Sequence, residues 1–169
     1  MERTTVKYTI INPAKIRIKG MEAADIQGLR TILKNEGCVD SENMFSDNDK
    51  AVALDKVQER LAKKNKTNKK ASADVLICMA KNKYLLAEAK FEVKNVRNIK
   101  TSEIQDKFKE SKNIILSDDF TFEKEAFYIL FKKNVLTDSA LNCLRRMFLN
   151  TTKYSFITAI DFYNLFDFS

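Results

Sequence analysis

Histidine is absent from this 169-residue chain, and its absence excludes more chemistry than any other feature of the composition. Without an imidazole the protein has no His-based catalytic triad, no His-ligated zinc and no histidine general base. Any catalysis must therefore use carboxylates, lysines, hydroxyls or thiols. Tryptophan is also absent, but no comparable class of site is lost with it.

Proline and glycine are scarce, with one Pro and three Gly in the whole chain. Little sequence is left for a flexible linker, and the length suits one domain, so we expect a single domain over residues 1–169. No apolar run approaches the roughly 20 residues that span a bilayer, and the first 20 residues alternate polar and apolar types, unlike a secretory signal. These features predict a cytoplasmic protein without membrane association.

The three cysteines are odd in number and widely separated, at Cys38, Cys78 and Cys143. Neither a disulfide framework nor a zinc site fits that spacing. We expect them to be small, buried apolar residues.

Hydrophobic periodicity predicts alternating helices and strands. A central apolar pair of strands, broken by a turn at residues 81–83, is followed by a helix that we expect to begin at Glu103, with Ser102 and Gln105 forming a capping box. The other expected elements are a short hairpin or two edge strands within 5–11 and 15–20, helices over 21–37 and 49–64, a buried strand over 125–133, a helix capped by Thr137, and a strand over 154–162.

Positive charge is concentrated in one part of the chain. The net charge is +7, and residues 63–112 alone carry 14 basic and six acidic residues, whereas the remainder is nearly balanced. Clustered Lys and Arg bind phosphates, so this segment predicts a nucleic-acid partner. The alternative is a solvated, mobile lysine loop with no ligand. The predicted phosphate-binding residues are Lys63, Lys64, Lys66, Lys69, Lys70, Lys94, Arg97 and Lys100.

The segment ADVLICMAKNKYLLAEAKFE, residues 73–92, places charged residues in an otherwise apolar pair of strands. Strand side chains alternate between faces, so Glu88 and Lys90 point the same way. With a turn at residues 81–83, Asp74 lies directly opposite Lys90. Two convergent carboxylates suit Mg²⁺ or Mn²⁺, and a nearby ammonium can help to activate a metal-bound water. The plainer alternative is an ion pair on a half-exposed sheet face, with Asp74 merely beginning a strand.

The order Asp74, thirteen intervening residues, then Glu88-Ala89-Lys90 resembles the PD-(D/E)xK nuclease superfamily. The resemblance implies an α/β fold with a restriction-endonuclease-like core, in which helices flank a central mixed β-sheet. It also implies metal-dependent hydrolysis of phosphodiesters, with DNA favoured over RNA. Asp74, Glu88 and the Ala89 carbonyl would bind the metal, Lys90 would be the catalytic lysine, and Gln105 would match a glutamine found in some branches.

The chain departs from that family pattern at two places. Ala73 stands where a proline is usual, and no clear strand lies between the predicted second helix and Asp74. We expect the missing strand within 38–46, with the next helix inserted after it. Family members often carry a glutamate on the preceding helix. Glu22 is expected to face inward there, and Glu59 to face solvent.

Two non-catalytic readings remain open. Nuclease-like folds also serve as partner-binding proteins, such as toxin-immunity proteins, although such a protein would usually be acidic and this one is basic. The other reading is a nucleic-acid-binding module with an inactive site. A homodimer or a protein partner is compatible with either.

Overall fold

A six-stranded mixed sheet forms the centre of the computed structural model, which describes residues 7–116, 119–148 and 154–168 and, at positions 124–126, the backbone alone. Strand order in the sheet follows chain order. Strands β1 to β4 are antiparallel neighbours, and β4, β5 and β6 run parallel. The strands are β1 Ile26–Gly28, β2 Lys50–Ala53, β3 Val75–Met79, β4 Lys83–Ala89, β5 Thr121–Phe131 and β6 Tyr154–Thr158.

Helices cover both faces of the sheet, as expected for this α/β class. They are α1 Leu29–Asn35, α2 Leu54–Asn65, α3 Thr101–Asn113, α4 Asp138–Met147 and α5 Ala159–Tyr163. One core, against α2, α3 and α4, contains Leu76 and Leu86, whereas the other, against α1 and α5, contains Ile77 and Leu85. The period-two alternation of β3 and β4 thus divides their side chains between two hydrophobic cores.

The strand that the sequence seemed to lack is β2. It lies at Lys50–Ala53, inside the segment that we expected to be entirely helical, and not within 38–46, where Ser41–Asn43 forms a 3₁₀ turn. Helix α2 begins directly after it and is the inserted helix that we anticipated. The strand could not be recognised from the sequence, because the apolar residues of β2 continue directly into the apolar stripe of α2, which contains Leu54 and Val57.

The helix expected over 21–37 is shorter than its apolar pattern suggested. Ile26 belongs to β1, and α1 begins at Leu29. The expected stop is confirmed at Gly37, which adopts φ +93° while its N–H donates to the Lys34 carbonyl. A left-handed residue at this position terminates a helix at little cost when it is glycine.

Three other expectations about local structure were wrong. Residues 7–20 form neither a hairpin nor two strands; they make only isolated bridges, of Tyr8 to Phe166, Ile10 to Met79 and Ile18 to Ile115. Helix α3 begins at Thr101 with no side-chain cap, so the Ser102–Gln105 capping box does not form. The last strand stops at Thr158, whose hydroxyl accepts the Asp161 N–H and starts α5.

Residues 5 and 6 of the expected N-terminal strand lie outside the described part of the chain. The Thr137 cap is confirmed, with its hydroxyl accepting the Ala140 N–H at 3.2 Å. In the described residues, no helix is both long and apolar enough to cross a bilayer.

Phe127 is expected to be a stability determinant, because it is fully buried and its ring packs against Phe108 of α3 and Tyr154 of the neighbouring strand β6. Phe127→Ala should lower the free energy of unfolding by about 3–5 kcal/mol in urea titrations. Phe168→Ala is the control, since that ring is 44% exposed and should cost about 1 kcal/mol or less. Equal losses in the two variants would contradict this packing.

Candidate active site

The β3–β4 hairpin brings Asp74 and Glu88 face to face. Val75 pairs with Ala87 and Met79 with Lys83, so continuing the register by one residue sets Asp74 opposite Glu88. The expectation that Asp74 would lie opposite Lys90 was therefore wrong. The loop is formed by residues 80–82, one position earlier than expected, with Lys81 and Asn82 left-handed at φ 68° and 55°. This shift moves the pairing by two residues and keeps the side chains on their predicted faces.

Asp74 is fixed by the backbone of the strand that it faces. The Ala89 N–H donates to Asp74 Oδ2 at 2.7 Å, just beyond the last pairs of the hairpin. Burial raises the pKa of the Asp74 carboxyl, and the Ala89 hydrogen bond with the Lys107 and Lys90 ammoniums only partly opposes this effect. The side chain is held in one orientation at the mouth of the site.

Glu88 is the most deeply buried acid of the site, with 1% of its surface exposed. Its Oε1 accepts a hydrogen bond from Lys107 Nζ and lies 3.6 Å from Lys90 Nζ. Its Oε2 is buried and has no hydrogen-bond partner in the described part of the chain. Burial and then repulsion by Asp74 raise the pKa of Glu88 to about 7, against the opposing effect of the two lysines.

Lys107 is the site residue that the sequence analysis missed. It projects from α3 on the side of Ile104 and Phe108, both of which are buried, and it pairs with Glu88. Burial lowers its pKa, but Glu88 and Asp74 outweigh that effect, so the net shift is upward. The available signal was its position three residues after Ile104 and four before the buried Ser111, on the helix stripe that faces the core.

Gln105, in contrast, is exposed on α3, and no hydrogen bond to either carboxylate is found in the described part of the chain. The structure therefore does not place it with Asp74, Glu88 and Lys90. Helix α3 does approach the site, because the Ser111 hydroxyl accepts the Ala73 N–H at 2.7 Å, beside Asp74. The helix expected from the resemblance is present, but a lysine contributes its polar group.

Further acids surround this centre. The pKa of Glu36, at the end of α1, is raised by burial and then by the charges of Asp74 and Asp55. Asp55 lies in the first turn of α2 and pairs with Lys69 at 2.6 Å. Asp55 and Glu36 thus belong to the electrostatic surroundings of the site, and neither was singled out from the sequence.

Glu22 does not face the site from a helix as we expected. It is exposed before β1 and pairs with Arg60, which also forms two hydrogen bonds to the buried Asp25. Glu59 is partly exposed and pairs with Lys63, in agreement with its expected solvent-facing position.

The predicted phosphate-binding residues fall into separate groups. Lys69 turns back to Asp55 beside the site, with Lys70 next to it. Lys63 and Lys64 lie near the other end of α2, about 12–14 Å from Asp55 along the helix axis, and Lys66 caps that end. Lys94, Arg97 and Lys100 are exposed in the segment after β4, where Lys100 pairs with Glu103.

The two central carboxylates are compatible with a divalent cation. Within the described residues, no group of three or more acidic or cysteine side chains is placed to hold a metal. Asp74 and Glu88 alone supply two oxygen ligands, and the unpartnered Glu88 Oε2 is a buried acceptor that a cation would satisfy. The site therefore fits Mg²⁺ or Mn²⁺ bound by few protein ligands, with water or phosphate completing the coordination.

No family model, curated protein or solved structure matches this chain. The function of this protein is therefore inferred from the chemistry of the site.

The raised pKa of Glu88 predicts how stability changes with pH. Because its pKa rises from 4.5 to about 7 on folding, the native state loses stability as pH increases between those values. Glu88→Gln removes this titration. The difference in free energy of unfolding, variant minus wild type, should increase by about 1–3 kcal/mol between pH 5 and pH 8.

Chemical denaturation at both pH values would measure this change. Glu103→Gln is the matched control, because Glu103 is an exposed acid on α3. A difference for Glu88→Gln that does not change with pH would contradict the raised pKa. Any constant cost of losing the Lys107 ion pair cancels in the comparison.

Proposed function

We propose that this protein is a divalent-metal-dependent nuclease of the PD-(D/E)xK type, which hydrolyses phosphodiester bonds. The observation that carries the proposal is the pairing of Asp74 with Glu88 across two strands, with Lys90 3.6 Å from Glu88 and one Glu88 oxygen without a hydrogen-bond partner among the described residues. Buried acids whose pKa is raised well above its ordinary value, as that of Glu88 is, are concentrated at functional sites.

The arrangement of elements supports a restriction-endonuclease-like core. Strand β2 supplies the strand that the resemblance requires before the Asp74 strand, with α2 inserted between them. The E-x-K strand is followed by α3 and then by its parallel neighbour β5. The central sheet is mixed and has helices on both faces, as that core implies.

Asp74, Glu88 and the Ala89 carbonyl would hold Mg²⁺ or Mn²⁺. The cation, when bound, would stabilise negative charge on the phosphate and lower the pKa of a coordinated water. Asp74 is already oriented by the Ala89 N–H, and Glu88 is already desolvated, so little reorganisation of the two ligands is required.

Lys90 would act on the reacting groups. Its ammonium is partly exposed, with 21% of the side chain accessible, while remaining beside Glu88. It can therefore contact a phosphate from solvent and stabilise the charge that develops on the phosphoryl oxygens, or orient an attacking water. Lys107 is a positioning residue in this scheme, since it holds Glu88 Oε1 from α3.

Nucleic acid is the proposed substrate, with DNA first. Lys69 pairs with Asp55, and the exposed Lys94 and Arg97 lie in the segment that follows Lys90. Cations in this position would bind flanking phosphates and offset the repulsion between the acidic centre and a polyanion.

Metal binding should depend on Glu88. Isothermal calorimetry with Mn²⁺ at pH 8 should detect binding to the wild type that weakens at least about 10-fold in Glu88→Ala, because one of two protein carboxylates is lost. Glu103→Ala should bind like the wild type, since that acid is exposed in the first turn of α3 and pairs with Lys100. An undiminished Mn²⁺ affinity in Glu88→Ala would contradict the proposed metal site.

Cleavage should depend on Lys90 more than metal binding does. Lys90→Ala should reduce the rate of DNA hydrolysis with Mg²⁺ by about 100-fold or more, because a group acting on the reacting atoms is removed. Lys83→Ala is the control, since it lies at the opposite end of β4 and pairs with Glu123. Unchanged cleavage in Lys90→Ala would refute the assigned role.

A nucleic-acid-binding module without cleavage is the second candidate. It is favoured by the two lysines at Glu88 Oε1, which already balance that carboxylate, together with the absence of a third acidic ligand among the described residues. In this case the wild type binds DNA but does not bind Mn²⁺ and does not cleave DNA. Lys107→Met would remove one of the two ammoniums at Glu88 and so increase the affinity for Mn²⁺. Cleavage by the wild type that is lost in Glu88→Ala excludes this candidate.

A further inference from the structure

A cavity of about 280 Å³ separates the 3₁₀ turn Val96–Asn98 from one side of α4, from its cap Thr137 to Arg146 in its last turn. Among the described residues, its lining contains three cations, Lys94, Arg97 and Arg146, and no acidic side chain. The hydroxyls of Thr137 and Ser139 also border it. Cations and hydroxyl donors from two segments that are far apart in sequence therefore converge on one space, a composition suited to a phosphate group.

Both walls of this cavity are anchored in the hydrophobic core. In the 3₁₀ turn, Val96 and Ile99 are buried, and Asn95 Oδ1 accepts the Arg97 N–H at 3.0 Å. In α4, Leu144 is fully buried and Cys143 packs against the same core. The cations therefore project from fixed backbones, which lowers the entropy lost when they bind a ligand.

The three cations have no ion-pair partner in the described part of the chain. Three other predicted phosphate-binding lysines do have one, as Lys69 pairs with Asp55, Lys63 with Glu59 and Lys100 with Glu103. Three unneutralised positive charges around one cavity repel each other, and an anion removes that repulsion.

The cavity is close in the chain to the candidate active site. Lys94 follows Lys90 by four residues, a span of at most about 14 Å even when fully extended. At a rise of about 3.4 Å per nucleotide, a strand held at the site would reach the cavity within roughly four nucleotides. A phosphate bound here would fix the strand that leads to or from the scissile bond.

We propose that Lys94, Arg97 and Arg146 form a phosphate-binding pocket for a nucleic-acid strand, with Arg146 on α4 as a contact that lies outside the basic segment of residues 63–112. The inference rests on the proposed function only in taking nucleic acid as the source of the phosphate. The phosphate belongs either to an internal phosphodiester or to a strand end, and the experiment separates these sources.

Binding of a fluorescent single-stranded DNA oligonucleotide, measured by anisotropy without metal over a range of salt concentrations, tests the pocket. Arg146→Ala should weaken binding about 3- to 10-fold and reduce the slope of log affinity against log salt by about 0.7, the value for one lost phosphate contact on a single strand. Arg146→Lys should retain most of the slope, because the charge is kept.

Arg145→Ala is the matched control. Arg145 is equally exposed and adjacent on the same helix, but it borders a different cavity, beside Leu141 and Phe148. It should change the salt slope by much less than Arg146→Ala. If removing a 5′ or 3′ terminal phosphate from the oligonucleotide reproduces the Arg146→Ala loss, the pocket holds a strand end; if not, it holds an internal phosphodiester.

Equal effects of Arg146→Ala and Arg145→Ala, or no DNA binding by the wild type at low salt, would overturn the pocket. Cleavage and Mn²⁺ binding are measured separately, so the two proposals can fail independently. If the protein cleaves DNA and the two variants bind DNA equally well, the nuclease proposal stands and the pocket proposal is contradicted. If only Arg146→Ala loses DNA affinity and the protein does not cleave, the pocket proposal stands and the nuclease proposal is contradicted.

Discussion

The burial of the Glu88 carboxylate is the constraint on which the site depends. Removing a charged carboxylate from water costs several kcal/mol unless other charges compensate. Lys107 supplies that charge from α3 and Lys90 from the end of β4, so both are drawn to one point. The packing of α3 against the sheet, through Phe108 on Phe127, holds Lys107 at this position. The packing of α3 and the charge balance of the site therefore depend on each other. Within the described residues, Glu88 Oε2 is the site oxygen that remains buried without a hydrogen-bond partner.

The strand pairing of the sheet changes at β4, the strand that carries Glu88. Strands up to β4 pair antiparallel, and from β4 onward they pair parallel, so the carboxyl ends of β4, β5 and β6 meet at one edge. The segment that leaves β4 at this edge carries Lys90, Lys94 and Arg97, and Arg146 of α4 lines one cavity with Lys94 and Arg97. Ligand sites in α/β proteins commonly form at such edges, because loops rather than strands occupy the space beyond them. A common edge explains how an acidic pair and several cations become neighbours.

The positive charge of the sequence is distributed differently in space. Residues 63–112 look like one basic region, yet Lys63 and Lys64 lie at the far end of α2 while Lys69 returns to Asp55. Arg146, outside that region, joins Lys94 and Arg97 at one cavity. A local charge count predicts a polyanion partner, but it does not identify which cations act together, because that depends on how loops and helices pack.

The sequence by itself determined the mixed α/β class, the two central strands, and the faces on which Glu88 and Lys90 lie, since side-chain alternation is a local property of an extended chain. Tertiary structure decided the rest of the site. The pairing of Asp74 with Glu88 depends on a loop with two left-handed residues, Lys81 and Asn82, which no apolar pattern specifies. The choice of Lys107 over Gln105 depends on the rotation of α3 against the core. Register and helix rotation are set by contacts between residues distant in sequence, and local periodicity carries no information about them.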